Sequence, residues 1–279
     1  MKTDPTIITI DSNKPGKILT IMGGVHGNEI CGPDALRKLI AMFARKELHL
    51  ISGKLQLIFG NLAAMATGER KTQMDLNRAF RPESSLTLDE TFTYERQRAL
   101  QLMPYLEKSD VLLDIHSSMT NKSTPFIICE KQSFAVAERL PFPIRSYGWD
   151  RIQPGGTDYF VNKSGGMGIC IECGYHLDES APKRAFESAL MFLKFFGAIK
   201  GEAPPIYSGQ RIIHAYDIYF SQVDFRKAKV FSDFEPLKAG DLIGTDGGQE
   251  VRVTCDSLVI FPSDCMGPQE EAFVLGRIE

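Results

Sequence analysis

The chain has 279 residues, 43% of them hydrophobic and 24% charged, with a formal net charge of -3. That is ordinary globular composition, without the basic excess that nucleic acid or an anionic membrane surface demands. No apolar run approaches the roughly 20 residues of a membrane-spanning helix, and the first residues, Met1-Lys2-Thr3-Asp4-Pro5, lack the apolar core of a signal peptide. The expectation is a cytoplasmic protein that binds neither nucleic acid nor membrane. The length allows one large domain, or a large one and a small one.

Residues 17–22 read as a buried strand that runs into Gly23-Gly24-Val25-His26. Leu36, Leu39, Ile40 and Phe43 then recur at helical spacing between Pro33 and Lys46. Leu55 to Phe59 is a second strand, and 91–107 alternates charge with an apolar stripe as a surface helix does. Val111 to Ile115 is an apolar run of strand length, interrupted by Asp114. Phe126 to Cys129 and Met167 to Cys173 add two strands. Ser180-Ala181-Pro182 opens a long helix, with serine as N-cap, that ends near Phe196. Strands alternating with helices predict an α/β layer around a largely parallel sheet.

The pattern changes at Gly201-Glu202-Ala203-Pro204-Pro205, which reads as a linker. Beyond it lie short strand-like runs, Ile212–Phe220, Glu250–Thr254, Leu258–Phe261 and Ala272–Ile278, several of them separated by glycine turns and with no convincing helix. The division expected is therefore residues 1–202 as an α/β domain and 203–279 as a small all-β domain.

Six cysteines lie at positions 31, 129, 170, 173, 255 and 265. Most sit in apolar segments as small hydrophobes, which agrees with a reducing compartment. Cys170 and Cys173 form a Cys-x-x-Cys without a second pair, inside a segment that reads as a buried strand rather than a metal or redox centre.

Chemistry concentrates at strand ends. His26-Gly27-Asn28-Glu29 follows the first strand, where open α/β sheets bind ligands. His-x-x-Glu alone is weak evidence, since His176-Leu177-Asp178-Glu179 repeats it. His116 ends another strand, and Asp114 faces the same side of it, as an orienting partner for a metal-bound histidine or as an acceptor for a backbone donor. Glu172 lies inside an apolar strand, where a carboxylate is costly unless it is paired or can hold a proton, so it is a general base or half of a buried ion pair. Three ligands, an open fourth position for water and a separate carboxylate are what a mononuclear zinc hydrolase needs. Arg70 can face a developing oxyanion, and Asn77 with Arg78 can clamp a carboxylate; two exposed arginines and an Asx-turn are the alternative.

Taken together, His-Gly-Asn-Glu, Arg, Asp-Leu-Asn-Arg, Asp-Ile-His and Ile-Glu-x-Gly resemble the succinylglutamate desuccinylase/aspartoacylase family of the zinc carboxypeptidase superfamily. The resemblance implies a carboxypeptidase-like three-layer α/β domain with a mixed, largely parallel sheet, followed by a C-terminal β domain whose closing strand resembles Glu270 to Arg277. It implies one Zn2+ per chain on His26, Glu29 and His116, with Glu172 as base and acid, Arg70 polarising the scissile carbonyl, and Asn77 and Arg78 binding substrate carboxylate. The activity implied is amide hydrolysis of a small N-acyl amino acid, with a homo-oligomer allowed. A metallocarboxypeptidase and a catalytically inactive zinc-containing binding module are the rivals. One departure stands out: the second carboxylate-binding arginine of aspartoacylases is missing from 155–163, and counting back from Glu172 puts Asn162 in its place.

Overall fold

The computed structural model describes residues 4–121 and 123–279; residues 1–3, read above as lacking a leader's apolar core, lie outside it. In chain order the elements are β1 (Ile7–Asp11), β2 (Ile18–Gly23), α1 (Cys31–Ala44), β3 (Lys54–Phe59), α2 (Leu62–Thr67), α3 (Leu88–Thr91) and α4 (Tyr94–Leu106). Next come β4 (Val111–Ser118), β5 (Phe126–Cys129), α5 (Phe134–Ala137), β6 (Ile144–Tyr147), α6 (Trp149–Ile152), α7 (Thr157–Lys163), β7 (Met167–Tyr175) and α8 (Ala181–Phe195). The remaining elements are strands: β8 (Arg211–Phe220), β9 (Arg226–Lys227), β10 (Glu235–Leu237), β11 (Leu242–Asp246), β12 (Gln249–Arg252), β13 (Ser257–Ile260) and β14 (Glu271–Ile278).

The predicted α/β layer is present. Eleven strands form one sheet in the order β1-β3-β2-β4-β7-β5-β6-β8-β14-β13-β10. Its centre is parallel: β3 with β2, β2 with β4, and β4 with β7. Side chains alternate across these strands, so each supplies two cores. Leu19, Ile21, Leu113 and Ile115 join Leu36, Leu39, Ala185 and Phe192 of α1 and α8 on one face. Met22 and Leu112 join Ala99 and Leu102 of α4 and Val161 of α7 on the other. Helices on both faces of the sheet give three layers. No helix among the described residues is long and apolar enough to cross a membrane.

Two readings change. The stretch 91–107 begins its helix only at Tyr94, and its polar face is not solvated: Glu95, Arg96 and Arg98 are buried. Glu95 accepts from Asn61 Nδ2 at 3.1 Å and from Thr72 N at 2.7 Å, and Arg98 Nε donates to Gly60 O at 2.9 Å. Ser180 precedes α8 but makes no cap; its hydroxyl donates to Asp178 Oδ2 at 2.8 Å instead. Beyond the linker the described elements are all strands, and four of them extend the main sheet. β8 pairs parallel with β6, and β14, β13 and β10 continue the main sheet from there. A separate three-stranded sheet, β12-β11-β9, is what remains.

Candidate functional site

The site forms where β2, β4 and β7 end side by side. β2 stops at Gly23, and Gly24 turns the chain with φ +74°, a left-handed conformation that glycine adopts without strain. Gly27 is needed for another reason: a Cβ there would lie 2.1 Å from the carbonyl carbon of Ala64. This tight loop, also tied by Gly27 N–H to Arg70 O at 3.3 Å, turns His26 and Glu29 to the same point. Both are nearly sealed from solvent. His26 Nδ1 lies 2.7 Å from Glu29 Oε1.

β4 and β7 supply the other half by register. His116 pairs with Glu172 across the two parallel strands, so both side chains leave the sheet on one face. His116 Nδ1 lies 3.0 Å from Glu29 Oε2 and 3.3 Å from His26 Nδ1. The far ring nitrogens meet carboxylates. His26 Nε2 is 3.1 Å from Asp75 Oδ1, and His116 Nε2 is 3.1 Å from Asp114 Oδ2, a charge contact not aligned as a full hydrogen bond. Asp114 also accepts the hydroxyl of Thr157.

These residues fit a zinc ion. Two imidazole nitrogens and a carboxylate oxygen, all buried, converge within 4.8 Å of one another. Tetrahedral bonds of ~2.0–2.1 Å place neighbouring ligand atoms about 3.3–3.4 Å apart, close to the separation of the two Nδ1 atoms. Carboxylates on the Nε2 side favour the tautomer whose Nδ1 lone pairs face the shared point. Burial tends to raise Glu29, but the two histidines beside it hold its carboxyl well below the ordinary range.

Glu172 is 7% exposed, and its Oε2 is buried without a hydrogen-bond partner. Burial, then the charge of Glu29, pushes its carboxyl up to about 8. Among the described residues Glu172 has no ion-pair partner. Cys170, two residues earlier, faces the same side, whereas Cys173 belongs to the opposite core, so the Cys-x-x-Cys does not assemble as a pair.

The arginine region is less simple. Arg70, 40% exposed, donates to Asp75 Oδ2 at 2.9 Å and brings Nη1 to 3.8 Å from Glu29 Oε1, beside the candidate ligands. Asn77 accepts the backbone N–H of Thr157 at 3.3 Å. Arg78 is gripped by Glu271 of β14, Nε to Oε1 at 2.6 Å and Nη2 to Oε2 at 2.7 Å. Asn162 offers nothing to the site. Its amide oxygen accepts Gly168 N–H at 2.8 Å, and its nitrogen donates to Asp150 at 3.1 Å.

Sequence reasoning passed over four neighbours of the site: Asp75, Thr157, Glu271 and His176. Asp75 lies two residues before Asn77, and its capping of the Leu76–Arg78 turn, accepting Asn77 N–H at 2.8 Å, is a local signal of a fixed acid. His176, set aside as a chance repeat, accepts or donates through Nδ1 at 2.8 Å to Ser117 Oγ, beside His116, while Glu179 stays exposed. Nothing local marks Thr157 or Glu271.

Comparison with known proteins gives a consistent picture. Residues 15–192 match the model of the succinylglutamate desuccinylase/aspartoacylase catalytic domain. The probable aspartoacylase of Prochlorococcus marinus (strain MIT 9301) is 29% identical over 168 residues, 56% of this chain and 53% of that protein. The match thus spans about half of that relative's length. The succinylglutamate desuccinylase of Serratia proteamaculans (strain 568) is 24% identical across 90% of this chain and 82% of its own. The crystal structure of the succinylglutamate desuccinylase from Chromobacterium violaceum superposes with a TM-score of 0.76 at 17% identity, covering 99% of this chain and 89% of that one. That last likeness speaks for the fold.

Proposed function

Because the chain belongs to the succinylglutamate desuccinylase/aspartoacylase family, we propose that it is a zinc-dependent amidohydrolase cleaving the amide of a small N-acyl amino acid. The observation that carries this is the pairing of His116 with Glu172 across β4 and β7, which sets a carboxylate whose buried Oε2 has no hydrogen-bond partner among the described residues beside the His26, Glu29 and His116 donors. Residues 1–202 would carry the catalytic machinery and 203–279 would complete its wall.

His26, Glu29 and His116 would hold the zinc, with Asp75 and Asp114 fixing the two rings. Bound there, zinc would act as a Lewis acid on water and on the scissile carbonyl. Glu172 takes the proton of the attacking water and returns it to the leaving amine. A carboxyl pushed up to about 8 is suited to both steps near neutral pH. Arg70, held by Asp75 and open to solvent on its other side, aims its remaining N–H groups where the oxyanion develops. Five buried thiols and one half-buried thiol, all unpaired, support a reducing cytoplasmic setting.

The test is hydrolysis by the zinc-loaded protein across N-acetyl, N-succinyl and N-formyl amino acids and short peptides, with Glu172→Gln alongside. Turnover of an acyl amino acid that the variant lacks supports the proposal. Cleavage of peptides alone moves the protein to the carboxypeptidase reading. Stoichiometric zinc with no hydrolysis anywhere favours a binding module, a reading that leaves Glu172 and Arg70 without a task.

A further inference from the structure

β7 brings Glu172 to the site, and its end does one thing more. His116 pairs with Glu172 but Ser118 pairs with Tyr175, so β7 carries one residue more than β4 between the two pairs. Gly174 lies in that bulge, with φ +96°. In an unbroken strand His176 would face the same side as Glu172. The extra residue turns it to the other side, where Ser117 lies. His176 N–H then donates to Ser118 O at 2.9 Å, and His176 Nδ1 lies 2.8 Å from Ser117 Oγ.

Ser117 is buried, and its hydroxyl has this one partner among the described residues. A buried hydroxyl left without an acceptor is costly, so the hydroxyl donates and Nδ1 accepts. The ring suits that role. Burial, helped by the charges of Arg70, His26 and His116 and opposed by Glu29, holds it below the usual histidine range. Ser117 in turn gives its backbone N–H to Glu29 Oε2 at 3.2 Å, the same oxygen that lies 3.0 Å from His116 Nδ1. Asp75 and Asp114 stand behind the two histidines of the donor set; His176 and Ser117 stand behind its carboxylate.

We propose that His176 is a positioning residue for the metal centre: through Nδ1 it holds Ser117, whose N–H fixes the carboxylate of Glu29. This rests on the reading of Glu29 as a zinc ligand. One strand thus supplies the base and, through its bulge, the brace of a ligand. The second His-x-x-Glu of the sequence gains a task for its histidine alone, since Glu179 is exposed.

The experiment measures zinc affinity by competition with a chromogenic chelator. It compares wild type, His176→Ala, His176→Asn, His176→Gln, Ser117→Ala and the His176→Ala/Ser117→Ala double variant. Melts of the metal-stripped proteins record any structural cost separately. His176→Ala and Ser117→Ala should each weaken zinc about tenfold, the lower end for a group that orients a ligand. The double variant should also lose about tenfold rather than about a hundredfold, because both changes break one link. Asparagine puts a polar atom near the Nδ1 position and should restore affinity to within about threefold of wild type, whereas glutamine, which reaches toward Nε2, should not. The visible absorption of cobalt-substituted His176→Ala should differ from that of cobalt-substituted wild type, because the ligand geometry has moved. A His176→Ala protein that holds zinc within about threefold of wild type and keeps the cobalt spectrum would overturn the proposal, whatever its melt. So would an additive double variant, or glutamine restoring affinity as well as asparagine. A wild type without stoichiometric zinc would overturn the metal reading itself, and the proposal with it. Zinc binding without hydrolysis would count against the hydrolase reading alone, since the affinities still decide the role of His176.

Discussion

Asp114 offers the sharpest test of how the proposed metal centre would be held. It is fully buried, lies 3.1 Å from His116 Nε2 and accepts the Thr157 hydroxyl, so it has no role that solvent could replace. Asp114→Asn keeps the volume and an acceptor for the ring but removes the charge. Zinc affinity should fall about tenfold, the lower end for a group orienting a ligand. Asp114→Ala removes the contact as well and should cost about a hundredfold, or ~2.7 kcal/mol. It also leaves the Thr157 hydroxyl without an acceptor, a further loss of about 1–3 kcal/mol in stability. Competition with a chromogenic chelator measures the first effect, and a melt of the metal-stripped protein measures the second. An Asp114→Ala protein that holds zinc within about threefold of wild type would refute the orienting role, because the change is far below the range such partners show.

Three further outcomes are expected. Glu172→Gln should keep zinc stoichiometrically and lose hydrolysis by about 10²–10⁴-fold, the usual range for a general base; a smaller loss in single-turnover rates would assign the proton transfer elsewhere. Gly27→Ala should destabilise the protein by about 1–3 kcal/mol, since its methyl would meet the backbone of Ala64, and a melt unchanged within a degree would contradict that packing. Asp150, raised from 3.8 to about 7 by burial and by Asp158 and Glu130, binds a proton more readily folded than unfolded. Stability should therefore fall as pH rises from about 4 to about 7. Asp150→Asn should remove that loss, gaining roughly 1–2 kcal/mol at pH 8 after solvent screening and nothing near pH 3, as read from urea titrations at both.

Much of the site was legible because its parts are local. A strand running into Gly-Gly and His-Gly-Asn-Glu, an acid and a histidine two apart on one strand, and a lone glutamate in an apolar strand each carry their meaning within a few residues. Register then does the rest, since β4 and β7 bring His116 and Glu172 together without any long-range signal. What escaped was chemistry made by distant partners. Asp75 meets His26 across 49 residues and Glu271 meets Arg78 across 193; the turn that Asp75 caps marks it as a fixed acid without showing what it faces, and nothing local marks Glu271. The helix at 94–106 was misjudged because periodicity registers polarity, not solvent. Its buried face is polar and hydrogen-bonded, and through Thr72 and Met74 N–H groups Glu95 anchors the loop that delivers Asp75. The linker shows itself as a change in composition, but composition does not reveal which strand the next one will pair with.

The ladder between β6 and β8 bears on how the molecule can be handled. Cutting at the linker, or expressing only residues 15–192, would strip β6 of its neighbour and expose a row of unpaired backbone groups along Ile144–Tyr147. It would also open the cluster in which Phe126, Ile144 and Trp149 pack on Ile213, Leu258 and Val274. An uncovered, apolar sheet edge is a template for pairing with other chains, so the shortened protein should aggregate rather than fold to a smaller enzyme. The C-terminal strands thus cover the β6 edge of the main sheet.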